Sequence, residues 1–249
     1  MSFPFLASWF PNYFVFIWKG LAKQTGRVIL QNLELLFQLD TPAHGAAVNM
    51  AIDEVLLMHA QAPILRVYGW ARSAVTFGYF ERWEPVAAAF PGREHVRRWT
   101  GGGIVPHGED WTYSLIVPRS DAFVQVGAGE SYRVIHELLG VAMRAEGMEA
   151  GVTPQAAPKV SQACFENPAQ YDLLAAGQKI AGAAQRRSRF GMLHQGSVQG
   201  VTMPPGFAER LAGMLAPQVT PRGFSAEELA EAEQLAEAKY ATSGWNRKF

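Results

Sequence analysis

The order of periodic segments after Leu33 constrains the fold most, because helical and strand patterns follow one another without a regular alternation. Apolar residues at helical spacing predict helices over 46–60, 130–149 and 207–215. Alternating or short apolar runs predict strands over 33–39, 64–68, 74–79, 96–99, 111–117, 171–175, 179–186 and 192–198. Because several strands follow one another across short turns, we expect an α+β domain with mixed, mostly antiparallel sheets packed against helices, and not a Rossmann fold.

Turn and capping residues mark where these elements end. Asp40-Thr41-Pro42 predicts a turn into the first helix, and Gly69-Trp70 predicts a turn between two strands. Ala176-Gly177 predicts a tight turn before the strand at 179–186. Ser225 and Glu228 have the spacing of a capping box, which predicts a final helix to about Ala241.

The overall charge and the cysteine count exclude several classes of protein. Lys+Arg and Asp+Glu both total 22, so the formal net charge of zero gives no sign of a nucleic-acid or membrane-surface protein. One cysteine excludes an intramolecular disulfide framework and a multi-cysteine zinc site. We therefore expect a compact protein of a reducing compartment, cytoplasmic, with no bound metal.

The N-terminal segment differs from the rest of the chain. Residues 1–18 carry no charge and are rich in aromatic residues, and Lys19 follows them, whereas a secretory signal has its positive charge first. Pro4 and Pro11 interrupt a run that is barely long enough to span a membrane. We interpret residues 1–30 as an apolar extension, disordered or produced by a start codon placed too early, with a membrane anchor as the less favoured alternative; residues 31–249 form the domain.

A glycine-rich loop is the first candidate for a binding site. It follows a predicted strand that ends in Arg97 and Arg98, continues as Thr100-Gly101-Gly102-Gly103, and is followed by His107. Three glycines in a row allow a ligand to lie against the backbone, and the arginines suit a phosphate or carboxylate. The loop lacks the Lys-Ser/Thr of a P-loop. A flexible hairpin with solvated arginines remains the alternative.

Cys164 and Lys179 are the candidate catalytic residues. Cys164 lies in a turn-like stretch, where reactive groups are often presented, although a lone cysteine is most often a small buried hydrophobe. A thiol needs a nearby cation to become substantially ionised at neutral pH, and Lys179 could supply it. The strand after Lys179 contains Gly182 and Ala183, whose small side chains permit close approach of a ligand. An ordinary edge-strand lysine is the alternative.

His194 is a weaker candidate on the last predicted strand. No second histidine or carboxylate lies at ligand spacing from it, so it is not a metal site. A packed and hydrogen-bonded histidine is the ordinary interpretation, and substrate binding is the functional one.

Taken in order, the motifs resemble the biotin and lipoate protein ligase catalytic domain, a superfamily that includes lipoate ligases and octanoyltransferases. The resemblance covers about Leu33 to the end and is carried by Ala47–Glu54, Leu65–Trp70, Val75–Tyr79, Arg97–Gly103, Thr112–Ile116, Cys164–Asp172, Gly177–Arg186, Leu193–Ser197 and Lys239–Asn246. It implies the α+β fold of that domain. Within the superfamily, a cysteine at this interval before the lysine resembles the cysteine-dependent octanoyltransferases.

This resemblance implies an acyltransferase of lipoate biosynthesis. Cys164 would take an octanoyl group from octanoyl-acyl carrier protein as a thioester and pass it to a lysine of a lipoyl domain or a glycine-cleavage H-type protein, with no cofactor. Lys179 would lower the pKa of the thiol. Substrate would bind at the glycine loop, the small-residue strand and the last predicted strand. The residues implied are Arg98, Thr100, Gly101, Gly102, Gly103, His107, Gly182, Ala183 and His194.

The sequence departs from the family pattern at three positions, and other readings stay open. Gly108 follows His107 where the family usually has Asp, Gln195 stands where it often has His, and Trp99 is bulky for its place. One alternative is an ATP- and Mg-dependent lipoate ligase in which Arg98 and Lys179 bind the acyl-adenylate phosphate. Others are an amidotransferase between lipoyl proteins and a non-catalytic protein that binds an acyl group or a lipoyl domain.

Overall fold

The computed structural model describes residues 34–156 and 168–249. The strands in these ranges are β1 Glu34–His44, β2 Ile64–Trp70, β3 Ala74–Phe77, β4 Glu94–Arg97, β5 Ile104–His107, β6 Trp111–Pro118, β7 Gly151–Val152, β8 Leu173–Ala175, β9 Gln178–Ser188, β10 Gly191–Val198 and β11 Gln218–Pro221. The α-helices are α1 Ala46–His59, α2 Trp83–Ala89, α3 Ala128–Ala145, α4 Phe207–Leu215, α5 Ala226–Leu235 and α6 Ser243–Asn246. A 3₁₀ turn, Ala122–Gln125, precedes α3, and a π-helical turn, Ala236–Tyr240, follows α5.

Two sheets organise the described part of the chain. The large sheet has the order β11-β1-β2-β6-β10-β9-β8-β7, and the small sheet has the order β4-β3-β5. In the large sheet β1 is parallel to β2 and to β11, whereas the pairs from β2–β6 to β7–β8 are antiparallel. In the small sheet β3 is parallel to β4 and antiparallel to β5. The expected α+β fold with mixed, mostly antiparallel sheets is confirmed.

The helices cover the large sheet with two apolar clusters. The helical stripe of α3, with Ile135, Leu139 and Met143, is buried in one cluster together with the apolar face of α4. α1 is buried along most of its length and lies with α5 in the second cluster. Tyr240, in the π-helical turn, is buried in that cluster as well. The long central strands are therefore covered by apolar side chains on both faces, which fixes their register.

Several predicted boundaries differ from the structure, for reasons of tertiary contact. The predicted turn at Asp40-Thr41-Pro42 lies within β1, whose pairing with β2 is irregular between Asp40 and His44. The Gly69-Trp70 turn is also wrong, because both residues belong to β2 and the Trp70 indole donates a hydrogen bond to the Thr112 hydroxyl. α2 and β5 were not predicted, since each is too short to show a period.

The final helix begins as predicted and ends differently. The Ser225 side chain accepts a hydrogen bond from the Glu228 amide, and the Glu228 carboxylate accepts one from the Ser225 amide, so the capping box is confirmed. The regular helix ends at Leu235 and continues as the π-helical turn. Residues 1–30 lie outside the described residues, and no helix of 34–156 or 168–249 is long and apolar enough to cross a membrane.

Candidate active site

A pocket lies between the glycine loop and the hairpin of β9 and β10. It contains about 440 Å³ of space, part of it open to solvent. Its lining comprises Met50, Tyr68, Trp70, Thr76, Arg98, Gly102, Val105, His107, Thr112, Gly182, Ala183, Ala184, Gln195, Gly196 and Ser197. The lining combines aromatic and small residues with polar side chains that are largely hydrogen-bonded to one another. Such a pocket suits a narrow, mainly apolar ligand.

Cross-strand pairing gives the pocket a direction. Gly182 pairs with Ser197 at one level of the hairpin, and Ala184 pairs with Gln195 at the next. The two levels are about 7 Å apart at the usual strand rise. The Gln195 amide nitrogen lies 3.5 Å from the Met50 sulfur, so Met50 belongs to the second level. The pocket therefore has a Gly182 end and a Met50 end.

Lys179 is at the Gly182 end and is buried in an ion pair. Its Nζ lies 2.7 Å from Oδ2 of Asp172, and both side chains are 1% exposed. The Asp172 carboxylate also accepts hydrogen bonds from the Tyr132 hydroxyl and the Ala169 amide. The same hydroxyl accepts a hydrogen bond from the amide of Ala183. The ammonium is thus held beside Gly182 by a buried carboxylate, so the alternative of an ordinary edge-strand lysine does not fit.

Gly182 makes room for this ion pair. A Cβ on Gly182 would lie 2.6 Å from Cε and 2.7 Å from Nζ of Lys179, and 3.3 Å from Oδ1 of Asp172. Real Cβ atoms do not make such contacts, so one of these groups would have to move. The absence of a side chain at Gly182 therefore leaves space for the Lys179 side chain of the same strand.

Arg98 holds the glycine loop together from inside. Its guanidinium donates to the carbonyl oxygens of Gly101 and Gly103, at 2.9 Å each, and to the Thr76 hydroxyl at 2.6 Å. Gly102 has a φ of +85°, a left-handed conformation that favours glycine. The loop is therefore ordered by Arg98, and the alternative of a flexible hairpin with solvated arginines does not fit.

Arg97 anchors the C-terminal segment instead of facing the pocket. Its guanidinium donates to the carbonyl oxygens of Trp245 and Asn246 and to that of Tyr79. The strand alternation separates the roles of the two neighbouring arginines: Arg98 lines the pocket and Arg97 lies on the other side of the strand.

His107 is buried and lies in a chain of hydrogen bonds at the pocket wall. Its Nδ1 lies 2.7 Å from Oδ2 of Asp110, and its Nε2 lies 2.8 Å from the Thr76 hydroxyl. The ionised Asp110 carboxylate can only accept, so Nδ1 carries the ring proton. Nε2 of the neutral ring then accepts from the Thr76 hydroxyl, which itself accepts from Arg98. The ring stacks on Trp70 with the centroids 4.0 Å apart. Burial lowers the pKa of His107, which keeps the ring neutral.

Asp110 supplies a carboxylate to His107 although Gly108 is the residue that follows it in the sequence. Burial by itself raises its pKa, but hydrogen bonds from His107, Ser197 and Thr112 lower it to about 2. Gly108 has a φ of +151°, and its amide donates to Asp110 at 3.1 Å. The turn therefore brings the carboxylate of Asp110, three residues further along the chain, back to His107. This carboxylate compensates for the departure from the family pattern at Gly108.

Gln195 links the glycine loop to the polar interior of α1. It accepts a hydrogen bond from the Thr100 hydroxyl at 2.7 Å and donates one to Asp53 at 2.7 Å. Asp53 is fully buried and also accepts from Arg66 and Ser114. Thr100 is thus a support of the loop, and Gln195 is a pocket residue that sequence reasoning treated only as a departure.

His194 faces the other side of β10. Its ring is bonded through Nε2 to the Tyr113 hydroxyl at 3.2 Å and through Nδ1 to the Gln185 amide at 3.1 Å. It lies against His136, and burial lowers the pKa of both histidines, that of His136 to about 4. A Cβ at Gly196 would lie 2.3 Å from the Tyr113 ring, so that glycine makes room for this layer. The geometry favours Gln195, not His194, as the pocket residue of this strand.

Cys164 lies outside the described residues. The described residues bring Arg98, Gly102, His107, Gly182 and Ala183 together around one pocket, and the Lys179 side chain is packed beside Gly182. Three residues that matter to this geometry were not selected from the sequence, namely Asp110, Asp172 and Gln195. Asp172 carried a signal because it closes the motif that contains the cysteine, and Gln195 carried one because it departs from the family pattern. Within 34–156 and 168–249, no group of three His, Cys, Asp or Glu side chains could hold a metal ion.

The fold and the pocket define a class of protein that the sequence comparison identifies. Residues 45–209 match the family model of the lipoyl protein ligase A/B catalytic domain. The match covers more than half of the chain, so the chain belongs to the lipoyl protein ligase A/B catalytic domain family. The superfamily expected from the motifs is confirmed.

Curated relatives with similar sequences are octanoyltransferases LipM of several bacteria. The one from Kyrpidia tusciae is 38% identical over 178 residues, and the alignment covers 64% of each chain. The one from Bacillus subtilis is 30% identical over 271 residues, with 84% of this chain and 97% of that protein covered. The chain thus spans slightly under two thirds of the first relative and nearly all of the second.

Solved structures with the same fold are lipoate-protein ligases. Lipoate-protein ligase A bound with ATP superposes with a TM-score of 0.66 at 20% identity, covering 86% of this chain and 98% of that one. A bipartite lipoate protein ligase from Thermoplasma acidophilum gives a TM-score of 0.54 at 22% identity, covering 86% and 95%. At this identity the likeness supports the fold alone.

Proposed function

We propose that the chain is an octanoyltransferase that acts in lipoate biosynthesis. The observation that carries this proposal is its similarity to octanoyltransferases LipM, which extends over 97% of the Bacillus subtilis protein. The donor is octanoyl-acyl carrier protein, and the acceptor is a lysine of a lipoyl domain or a glycine-cleavage H-type protein. The reaction needs neither ATP nor another cofactor and takes place in the cytoplasm.

The transfer consists of two exchanges on Cys164. In the first, the Cys164 thiolate attacks the octanoyl thioester carbonyl, a new thioester forms, and the carrier thiol leaves with the proton that the cysteine gave up. In the second, the neutral amine of the acceptor lysine attacks this thioester. An amide forms, the Cys164 sulfur leaves, and the proton lost by the amine restores the thiol.

The geometry of the pocket supports this assignment at both ends of the acyl group. The buried Lys179 ammonium at the Gly182 end would stabilise the thiolate and the negative charge that develops on the carbonyl oxygen. The alkyl chain would extend towards Met50, and each buried methylene contributes about 0.8 kcal/mol of binding energy. In this assignment the octanoyl carbonyl lies at the Gly182 end of the pocket and the alkyl chain lies towards the Met50 end.

The runner-up is an ATP-dependent lipoate ligase that forms an acyl-adenylate. In that mechanism Arg98 and Lys179 bind the phosphate. The guanidinium of Arg98 is already engaged by the Thr76 hydroxyl and two loop carbonyls, where the ligase mechanism asks it to meet a phosphate. Lys179 pairs with Asp172 under either mechanism, so the argument rests on Arg98. This observation favours the transferase.

A transfer assay separates the readings. Purified protein is mixed with octanoyl-acyl carrier protein and a lipoyl domain, with and without ATP, and octanoylation of the acceptor lysine is measured by mass spectrometry. The proposal predicts ATP-independent transfer that is lost in Cys164→Ala. Transfer only from free lipoate or octanoate with ATP would establish the ligase. Binding of either partner without transfer would establish a non-catalytic protein.

A further inference from the structure

A second groove adjoins the pocket and is polar where the pocket is apolar. It contains about 700 Å³ of space, part of it open to solvent. The side chains along it include Ser73, Arg93, Glu109, Asp110 and Gln199, and His107 lines both the groove and the pocket. Nothing in the two-step transfer described above uses this groove.

The groove meets the pocket at the Lys179 end. The amide of Gln199 donates to the carbonyl oxygen of Ile180, the residue after Lys179, at 2.8 Å. Ser197, which pairs with Gly182 at that end of the pocket, donates to Asp110 at 2.7 Å. Met50, at the other end, is on the far side of the pocket from these contacts. A ligand that occupied both spaces would therefore pass His107 near Ser197 and Gly182, and the Lys179 side chain is packed beside Gly182.

The groove offers hydrogen bonds instead of apolar surface. Gln199 reaches across it and donates to the Pro106 carbonyl at 2.8 Å, and Arg93 donates to the His107 carbonyl at 3.2 Å. The Ser73 hydroxyl and the Glu109 carboxylate add an exposed donor and acceptor. An extended ligand with amides and hydroxyls can be satisfied there, whereas an alkyl chain cannot.

We propose that this groove receives the pantetheine arm of the acyl thioester donor. The arm is a linear chain with two amides and a hydroxyl that ends in the thioester sulfur, so its acyl end would enter the pocket while the thioester lies beside Lys179. This inference rests on the proposed function and adds the binding site for the part of the donor that is not transferred. The arm is present in an acyl carrier protein and in coenzyme A, and the two sources share this chemistry.

The test compares two donors that differ only in the arm. Octanoyl-pantetheine carries it, and the octanoyl thioester of N-acetylcysteamine lacks most of it. For Gln199→Ala and Arg93→Ala we expect KM for octanoyl-pantetheine to rise about tenfold, as loss of one or two hydrogen bonds implies, with KM for the short thioester unchanged. The control variant Arg189→Ala removes an exposed cation beside Phe190, at the opposite end of β9, and should change neither. An equal rise for both donors would overturn the inference.

A binding measurement separates this inference from the proposed function. Calorimetry with the octyl thioether of pantetheine, which cannot transfer an acyl group, should give weaker binding in Gln199→Ala than in the unchanged protein. Such weakening without any transfer activity would retain the groove and refute the transferase. Transfer activity together with equal thioether affinity in both proteins would retain the transferase and overturn the assignment of the groove. Competition of ATP with the thioether for the groove would also overturn that assignment. Octanoyl-coenzyme A and octanoyl-acyl carrier protein should show the same Gln199 dependence, and the lower KM identifies the source.

Discussion

At the scale of single residues, the buried Lys179–Asp172 ion pair lies directly beside Gly182, a residue of the pocket lining. Two charges withdrawn from water are stable only while each satisfies the other. Asp172 accepts additional hydrogen bonds from Tyr132 and from the backbone, so its position is fixed independently of the lysine. Asp172 is therefore a positioning residue for the cation that the proposed mechanism requires.

Removing one member of this pair should affect stability and activity in different ways. Asp172→Asn leaves a buried ammonium without its carboxylate, so the free energy of unfolding should fall by about 3 kcal/mol and transfer should slow at least tenfold. In the double variant Asp172→Asn/Lys179→Met neither charge remains, so stability should largely recover while transfer stays low. Urea unfolding and the transfer assay measure the two effects. Glu137→Gln, which removes a half-exposed partner of Arg133, is the control. Recovery of activity in the double variant would show that the ammonium has no catalytic role.

A methyl group at Gly182 tests the position of the lysine most locally. Gly182→Ala introduces a Cβ within 2.7 Å of the Lys179 ammonium, so the side chain must move and transfer should fall at least tenfold. Gly213→Ala is the matched control, because a Cβ at Gly213 meets nothing within 4 Å. Full activity of Gly182→Ala would mean that the reaction does not depend on where Lys179 lies.

At the scale of elements, the start of α5 depends on a local capping interaction. The capping box at Ser225 satisfies two amides at the start of α5, and α5 packs on α1. Ser225→Ala should therefore lower the free energy of unfolding by about 1 kcal/mol. Ser120→Ala, at an exposed position, should leave it unchanged. Urea unfolding of both variants checks this, and an unchanged Ser225→Ala would show that α5 does not depend on its cap.

The helices and strands also show which parts of the fold the sequence could predict. α4 was predicted with both ends correct, and the central strands nearly so, because periodicity and turn residues act over a few neighbouring positions. The extension of β1 through Asp40 depends on Arg66, 26 residues away, whose guanidinium donates to Asp40. Local signals do not contain such a contact.

The sequence likewise predicted some residues of the candidate site and missed others. Lys179, Gly182 and the glycine loop follow from motif order. Asp110 reaches the site because a turn brings its carboxylate back to His107. Gln195 reaches it because the strand register makes Gln195 face the pocket while His194 faces away. A one-residue difference in register exchanges these two roles, so only the folded sheet decides between them.

At the scale of the whole molecule, buried histidines couple stability to pH. His136 and His194 lie between α3 and the large sheet, and burial lowers the pKa of each, to about 4 for His136. The unfolded chain therefore binds more protons than the folded protein below the ordinary histidine pKa of about 6.5. Their contribution to stability is complete above that pH and is lost as the pH falls towards 4.

This predicts that the free energy of unfolding decreases between pH 7 and pH 5. The steepest contribution of one such histidine is about 1.4 kcal/mol per pH unit. His136→Gln should make the decrease shallower, whereas His59→Gln, at a half-exposed position, should not. Urea unfolding at several pH values provides the measurement, and a slope unaffected by His136→Gln would assign the pH dependence to other groups.

Also at this scale, the proposed reaction has one protein carry an acyl group between two others, with Cys164 as the carrier. The chain has a single cysteine, so a thioester adduct can form at only one place. The most direct test is intact-protein mass spectrometry after mixing with octanoyl-acyl carrier protein in the absence of ATP and acceptor, with Cys164→Ala as the matched variant and thermal unfolding as the check on its fold. We expect one octanoyl adduct, removed by hydroxylamine, on the unchanged protein and none on Cys164→Ala. An unmodified protein that nevertheless transfers octanoyl groups, or an adduct of equal yield on Cys164→Ala, would contradict it.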